Sequence, residues 1–303
     1  KIFFQKMDML SPRAGRTSTV EFLFNDIKGE VLKQRIASSL LLTFAGDALA
    51  SPAHWYYNLN QLKADHGVIK GYVKPKKHMQ GSIMNLSSTS GGGRGRDDGD
   101  IIGGVINHGK KIYWQRDGNF HYHCSLEAGE STLEGSLCQL LLKFFAENHL
   151  QFDKSEYLKT FEKFMTEPGS HNDTYASTYL RQFFANRIKG KPLNECADND
   201  GHNTDAIDAL TCLVPTTVVW CLTHESNLNE RQSLHALISD VLSATRKSTV
   251  LPRFGVLFAD LLVDVLAAPS SQTANDNNNA DAAAVLREAV VNCGQKLNLD
   301  VKQ

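Results

Sequence analysis

The sequence predicts an all-α fold, a compact multi-helix domain with one small irregular or β-hairpin insertion. Three observations carry that expectation. Apolar residues recur at helical spacing in segment after segment, polar clusters stand at the segment ends, and Pro- or Gly-bearing turns separate them. Composition agrees: 42% hydrophobic and 21% charged residues, with eight prolines and twenty-two glycines, exclude collagen-like, coiled-coil and wholly disordered chains.

Residues 1–29 read as an N-terminal extension and 30–303 as the helical domain. The first helix, 30–45, is apolar nearly all round, as expected of a helix in the middle of a domain, and runs into Gly46-Asp47-Ala48-Leu49-Ala50-Ser51-Pro52. Between about 66 and 125 the pattern changes to short β-branched or aromatic pieces, Val68–Val73, Ile101–Ile106 and Lys111–Trp114, separated by glycines, which predicts the insertion. Its glycine-rich centre, 87–100, reads as a mobile loop. Helical signals return at 131, where Leu133, Leu137, Leu140, Leu141 and Phe144 share a face and Ser131 with Glu134 forms a capping-box pattern. Further helices are predicted at about 154–166, 175–189, 205–222, 230–246, 254–268 and 281–293, with no repeat that would make a solenoid.

Charge and cysteine usage narrow the function classes. With 32 basic and 33 acidic residues the formal net charge is −1, so no nucleic-acid surface is advertised. Cys124, Cys138, Cys196, Cys212, Cys221 and Cys293 show no metal-type spacing and no disulfide framework, and are expected to be reduced and mostly buried. The apolar stretch 209–222 falls short of the about 18–20 residues of a membrane span and carries Pro215. The chain begins without an initiator Met or a convincing cleavage site, as a fragment or an untrimmed gene model would, and the compartment expected by default is intracellular, cytoplasmic.

Five polar clusters carry the candidate chemistry: 46–58, 128–133, 168–175, 201–208 and 274–286. Helix N-termini present free N–H groups and a positive dipole end, so several converging on one cavity would bind phosphate, and carboxylates from the same loops would hold a hard cation such as Mg²⁺. His54, His121, His123, His171, His202 and His224 lie in or near these loops, and His171-Asn172-Asp173-Thr174 echoes His202-Asn203-Thr204-Asp205. Asp173 and Asp205, flanked by His171 and His202, would form an acid–imidazole group with one member as base and another as orienter if their loops meet. The plainer reading makes Asp173, Asn203 and Asp281 ordinary N-caps. Asp47 is expected to order its loop by accepting from neighbouring backbone N–H groups.

The order of these clusters resembles the ADP-ribosylglycohydrolase superfamily, which includes the J1-crystallins. The resemblance spans residues 30 to 293 and rests on the helix ending in Gly-Asp-Ala-Leu, the acidic-Thr step at 130–132, Gly201-His202-Asn203-Thr204, Leu222-Thr223-His224, and the Asn/Asp-rich loop before Ala282-Ala283. It implies a compact all-α domain and a hydrolase cleaving an ADP-ribosyl linkage, with ADP-ribose or an ADP-ribosylated molecule as substrate. It also implies Mg²⁺, one or two ions, held by a Thr-Asp-Asp-Thr helix start and a late Asp-x-Asp-Thr loop. Carried over, Glu130, Ser131, Thr132, Asp276 and Asp281 would form the metal region, with Ser131 lacking the family's second carboxylate. An alternative alignment makes 171–174 the metal motif, with Asp173 as ligand. Where the family carries a glutamate seven residues after the first aspartate, this chain has His54. Asp173, His171 and Asp205 are the expected catalytic residues, and Asp47, His54, Asn172, His202, Asn203 and Thr204 the expected substrate contacts. A non-catalytic, crystallin-like binding or structural protein is the alternative, and the losses at 54 and 131 favour it.

Overall fold

The computed structural model describes residues 29–82, 84, 100–114, 118–201, 203–268 and 278–296, the last group without side chains for 278–283. Nine helices of eight residues or more are found among them, and no sheet. They are α1 (Glu30–Ala50), α2 (Leu59–His66), α3 (Leu133–Glu147), α4 (Lys154–Thr166), α5 (Thr178–Ile188), α6 (Leu213–Thr223), α7 (Gln232–Thr245), α8 (Leu251–Ala267) and α9 (Asn278–Lys296).

Helix α6 forms the middle of the fold. Leu213 to Cys221 are buried on every side, and α1, α3, α7 and α8 all pack against it. The spacing predicts one helix over 205–222, but the structure divides it into a 3-10 turn, Ile207–Leu210, and α6. Pro215 explains the break: its ring opposes the carbonyl of Thr211 and it donates no N–H, so an α-helix cannot run through both. Helices α7 and α8 cross at Gly255, where a Cβ would lie 2.8 Å from Leu242 Cδ1, closer than packed carbons stand.

In α1 the buried residues Ile36, Leu40, Phe44 and Ala48 recur every four positions, a face that packs on α6. The opposite face leaves Val31, Leu42 and Leu49 exposed, the all-round apolarity read from the sequence. By length and composition Glu30–Ala53 is long enough to cross a membrane, a test that core helices of soluble proteins also pass. Arg35 fastens α1 to α8 by donating to the carbonyls of Leu266 and Ala268 at that helix's C-terminal end.

The insertion is irregular and forms no hairpin among its described residues. Ile101–Gly104 is a single helical turn, Lys111–Trp114 a 3-10 turn, and only isolated bridges, His78 with Phe120 and Ile102 with Ile106, are present. Glycines at 103 and 109 with positive φ interrupt any strand there. The β-branched and aromatic residues that suggested strands are nonetheless buried: Ile101, Ile102, Ile106 and Trp114 join the same apolar cluster as the helices. Most of the 87–100 loop lies outside the described residues. All six cysteines are free, with Cys124, Cys138, Cys196 and Cys221 buried.

Candidate active site

The site is built around the first turn of α3. Its N-cap is Thr132, whose Oγ1 accepts from the N–H of Gly135. The expected capping box is not formed: Ser131 Oγ accepts from Gln139, and Glu134 turns away to other partners. Two carboxylates come to this turn from distant parts of the chain. Asp47, near the end of α1, accepts from the N–H of Thr132 (2.8 Å) and from its hydroxyl (2.6 Å). That approach requires Gly135, because a Cβ there would stand 2.3 Å from Asp47 Oδ2. Asp173 Oδ2 accepts from the N–H of Leu133 at 2.7 Å, the first residue of α3. Both anions therefore sit on the positive end of one helix.

Asp173 does not cap its own helix, since α5 begins only at Thr178. Its Oδ1 accepts from the N–H of Thr174 (2.7 Å) and faces His123 Nδ1 at 2.8 Å. His123 Nε2 in turn lies 2.6 Å from His54 Nδ1. An ionised Asp173 only accepts, so His123 Nδ1 donates to it; with His123 neutral, its Nε2 accepts and His54 Nδ1 donates. His54 Nε2 is left with its lone pair and no hydrogen-bond partner among the described residues. The result is an Asp173–His123–His54 relay, buried at the first two members and half-buried at the last.

Electrostatics divide the two carboxylates. Burial alone would raise Asp173, but the His123 imidazole and the N–H of Leu133 outweigh it and hold the carboxyl below its usual value. Asp47 is raised, because burial outweighs its Thr132 hydrogen bonds and Asp173 adds repulsion. Burial, reinforced by His123, pushes His54 down to about 3. His121 is also brought to about 3 by burial and by the neighbouring imidazoles.

The walls come from the insertion and from an aromatic group. Asn107, buried and in the left-handed region (φ 49), donates its amide to the carbonyls of Asp173 (3.3 Å) and Thr174 (3.2 Å). Trp114 Nε1 donates to the same Thr174 carbonyl. Trp55, also left-handed (φ 60), stacks on His54 at 4.5 Å and packs against Tyr122 and Tyr175. A bulky residue held at positive φ is strained, and such strain gathers at functional sites.

A second buried network lies on the other side of the same turn. Ser177 Oγ donates to Glu134 Oε1 (2.8 Å) and Tyr179 OH to Oε2 (2.9 Å). Asp208 Oδ2 lies 3.4 Å from that serine and 3.1 Å from an Arg246 nitrogen, and the Arg246 guanidinium stacks 3.5 Å over the Tyr179 ring. Burial and the Asp208 carboxylate push Glu134 up to about 7. Glu134, Cys138, Tyr179, Asp208, Cys212 and Arg246 help line an enclosed cavity of about 30 Å³, room for about one water and no substrate. The relay residues do not line it.

The sequence candidates thus divide. Asp47, His54, Thr132 and Asp173 come together, and Glu130 stands close by, accepting from Asn172, which also receives Lys110. The imidazole that Asp173 bonds is His123 rather than His171, whose Nδ1 is buried without a partner among the described residues. Asp205 accepts from Asn199 instead of joining Asp173. Asn203 and Thr204 are gathered by Asp200, and Arg246 ties that loop to the second network by donating to the Thr204 carbonyl. Asn203 lies in this turn and Asp281 inside α9, so neither is an N-cap. His202 and Asp276 lie outside the described residues, as does the Asp281 side chain. Sequence reasoning gave no role to His123, Asn107 or Arg246; the alternating His121-Tyr122-His123 was the visible signal for the first.

The class that fold and site define is an all-α protein with a buried carboxylate–imidazole relay at a helix start. No family model, curated protein or solved structure matches the chain.

Proposed function

We propose that the chain is a hydrolase of the ADP-ribosylglycohydrolase type, cleaving an ADP-ribosyl linkage, with its proton traffic running through His54, His123 and Asp173. The observation that carries the reading is the relay itself: a fully bonded, buried aspartate orients two imidazoles in series, and the last keeps a free lone pair. At neutral pH His54 is unprotonated; burial makes it a weak base by itself, so the proton it takes has to pass on to His123 beside the Asp173 carboxylate. As a water attacks the anomeric carbon, His54 Nε2 takes its proton, His54 Nδ1 passes one to His123 Nε2, and the imidazolium so formed stands against the Asp173 carboxylate. The water oxygen bonds to carbon while the glycosidic bond breaks, its electron pair leaving with the departing group. Asp173 holds the tautomers and stabilises the charge, the role an orienting carboxylate plays in other relays.

The Mg²⁺ of the resemblance enters no step. The described part of its donor set holds protein hydrogen bonds: Thr132 Oγ1 donates to Asp47, Ser131 accepts from Gln139, and Glu130 Oε2 accepts from Asn172 and the N–H of Glu127. Asp47 and Asp173 accept from N–H groups at a helix start, an arrangement that suits anions. The rival, a non-catalytic, crystallin-like binding or structural protein, draws on that same fact, since a network devoted to capping α3 needs no substrate.

The deciding experiment is release of ADP-ribose from ADP-ribosylated protein and small-molecule conjugates, with and without Mg²⁺, by wild type and His54→Ala. Turnover lost in the variant at unchanged stability supports the relay as the reactive site. Wild-type inactivity under both conditions, with ADP-ribose still bound in calorimetry, leaves the crystallin-like reading.

A further inference from the structure

We propose that Glu134 is a positioning residue for the relay: it pins the 173–179 segment to the first turn of α3 through Ser177 and Tyr179, and so fixes where Asp173 stands. The inference rests on the reading of Asp173–His123–His54 as the reactive site.

Local sequence already hints at it. Ser177 occupies the N-cap position of α5, where a serine ordinarily accepts from an N–H of the first turn, yet it makes no such side-chain bond. Its hydroxyl goes to Glu134 instead, and α5 gives up that cap. Two residues on, Tyr179 gives its hydroxyl to the other oxygen of the same carboxylate. At the opposite end of the segment Asp173 takes the N–H of Leu133, the residue next to Glu134. A single turn of α3 therefore grips the segment at 173, at 177 and at 179.

The intervening residues are held from the far side by Asn107 and Trp114, which donate to the carbonyls of Asp173 and Thr174. Arg181 also donates to the Ala176 carbonyl, so release at 177 loosens the segment only on its α3 side, and a shift of about 1 Å there is enough to break a contact such as that between Asp173 and His123. The hydrogen bonds of the Glu134 side chain go to Ser177 and Tyr179, with none to His54, His123 or Asp173, so its influence reaches the relay through the segment. Arg246 and Asp208 complete the support, one stacked over Tyr179 and the other beside Ser177.

The test uses the full chain with Ser177→Ala, Glu134→Gln and, should either fail to fold, Tyr179→Phe. Three readouts are taken: the downfield proton resonance of His123 Nδ1–H, kcat and KM for ADP-ribose release, and the urea unfolding midpoint. Ser177→Ala is expected to broaden or abolish the resonance and lower kcat about tenfold with KM within about twofold, the mark of lost orientation. Ser177→Thr should restore both. Variants that keep the wild-type resonance and kcat overturn the proposal, as does a change in the unfolding midpoint alone. A wild type that turns over nothing sinks the reading of the site, while the resonance still decides whether Glu134 positions Asp173.

Discussion

The first turn of α3 separates two buried polar networks made from similar side chains, and they treat protons in opposite ways. Asp173 is answered by N–H groups: Leu133 and Thr174 from the backbone and His123 from the side, so it stays ionised although fully enclosed. Glu134 is answered by two hydroxyls beside a second carboxylate, with Arg246 as the cation nearby, and it is raised to about 7. Burial is common to both, so the donors decide the sign of the shift. The Asp173 side also leads outward, through His123 to half-buried His54, whereas the Glu134 side closes on a cavity too small for a ligand. On the reading proposed above, one network moves charge and the other holds a segment still.

That contrast breaks most directly at Asp173. Asp173→Asn keeps the shape but removes the charge that these N–H groups face, and should cost about 3 kcal/mol in urea unfolding together with nearly all turnover. Unchanged stability would mean that the α3 start does not depend on this anion.

The pH dependence of stability sharpens the comparison, because the two sides carry opposite signs. His54 and His121 titrate near 6.5 when unfolded and near 3 when folded, so the stability gained by burying them neutral is full above 6.5 and is lost as pH falls towards about 3. Glu134 runs the other way: raised from 4.5 to about 7, it contributes stability below 4.5 that is lost as pH rises through about 7. Unfolding midpoints measured across this range should show the acid-side loss soften in His121→Phe and the neutral-side loss disappear in Glu134→Gln. An identical profile for Glu134→Gln and wild type would show that Glu134 ionises as freely as a surface carboxylate.

A smaller effect is expected at Gly135→Ala. Alanine gains about 1 kcal/mol of helix propensity, but its Cβ would overlap Asp47 Oδ2, and expelling that carboxylate costs about 1–3 kcal/mol. Net destabilisation in thermal melting confirms the close approach; net stabilisation shows Asp47 standing elsewhere.

Much of the fold was legible because it depends on local periodicity. Residues 154–166 coincide with α4, and Leu133, Leu137, Leu141 and Phe144 form the buried face of α3 as their spacing predicts. The sequence leaves the insertion open between an irregular segment and a hairpin, and tertiary packing decides for the irregular one: Ile101, Ile102 and Ile106 look like strand residues but are buried around a single turn broken by glycine. At the site, Asp173 and His54 were singled out from their loops, whereas Asp47, expected to order its own loop, bonds instead the N–H of Thr132, 85 residues along the chain. His123 was not, since its partner stands fifty residues away and no spacing rule links them. The paired loops 171–174 and 202–205 look alike in sequence, yet only the first reaches the relay, because Asp200 and Asn199 claim the second.

The finest test compares two neighbouring hydroxyls. A Ser-x-x-Glu pattern makes Ser131 the cap of α3 and Glu134 its reciprocal partner, whereas the structure gives the cap to Thr132 and Glu134 to Ser177. Thr132→Ala should then cost about 1–2 kcal/mol, since it loses the cap and the bond to Asp47, while Ser131→Ala, which loses only Gln139, should stay within about 0.5 kcal/mol in urea unfolding. The reverse order would restore the capping box. It would also free Ser177 to cap α5, detach Glu134 from the Asp173 segment, and leave the two networks with no common turn between them.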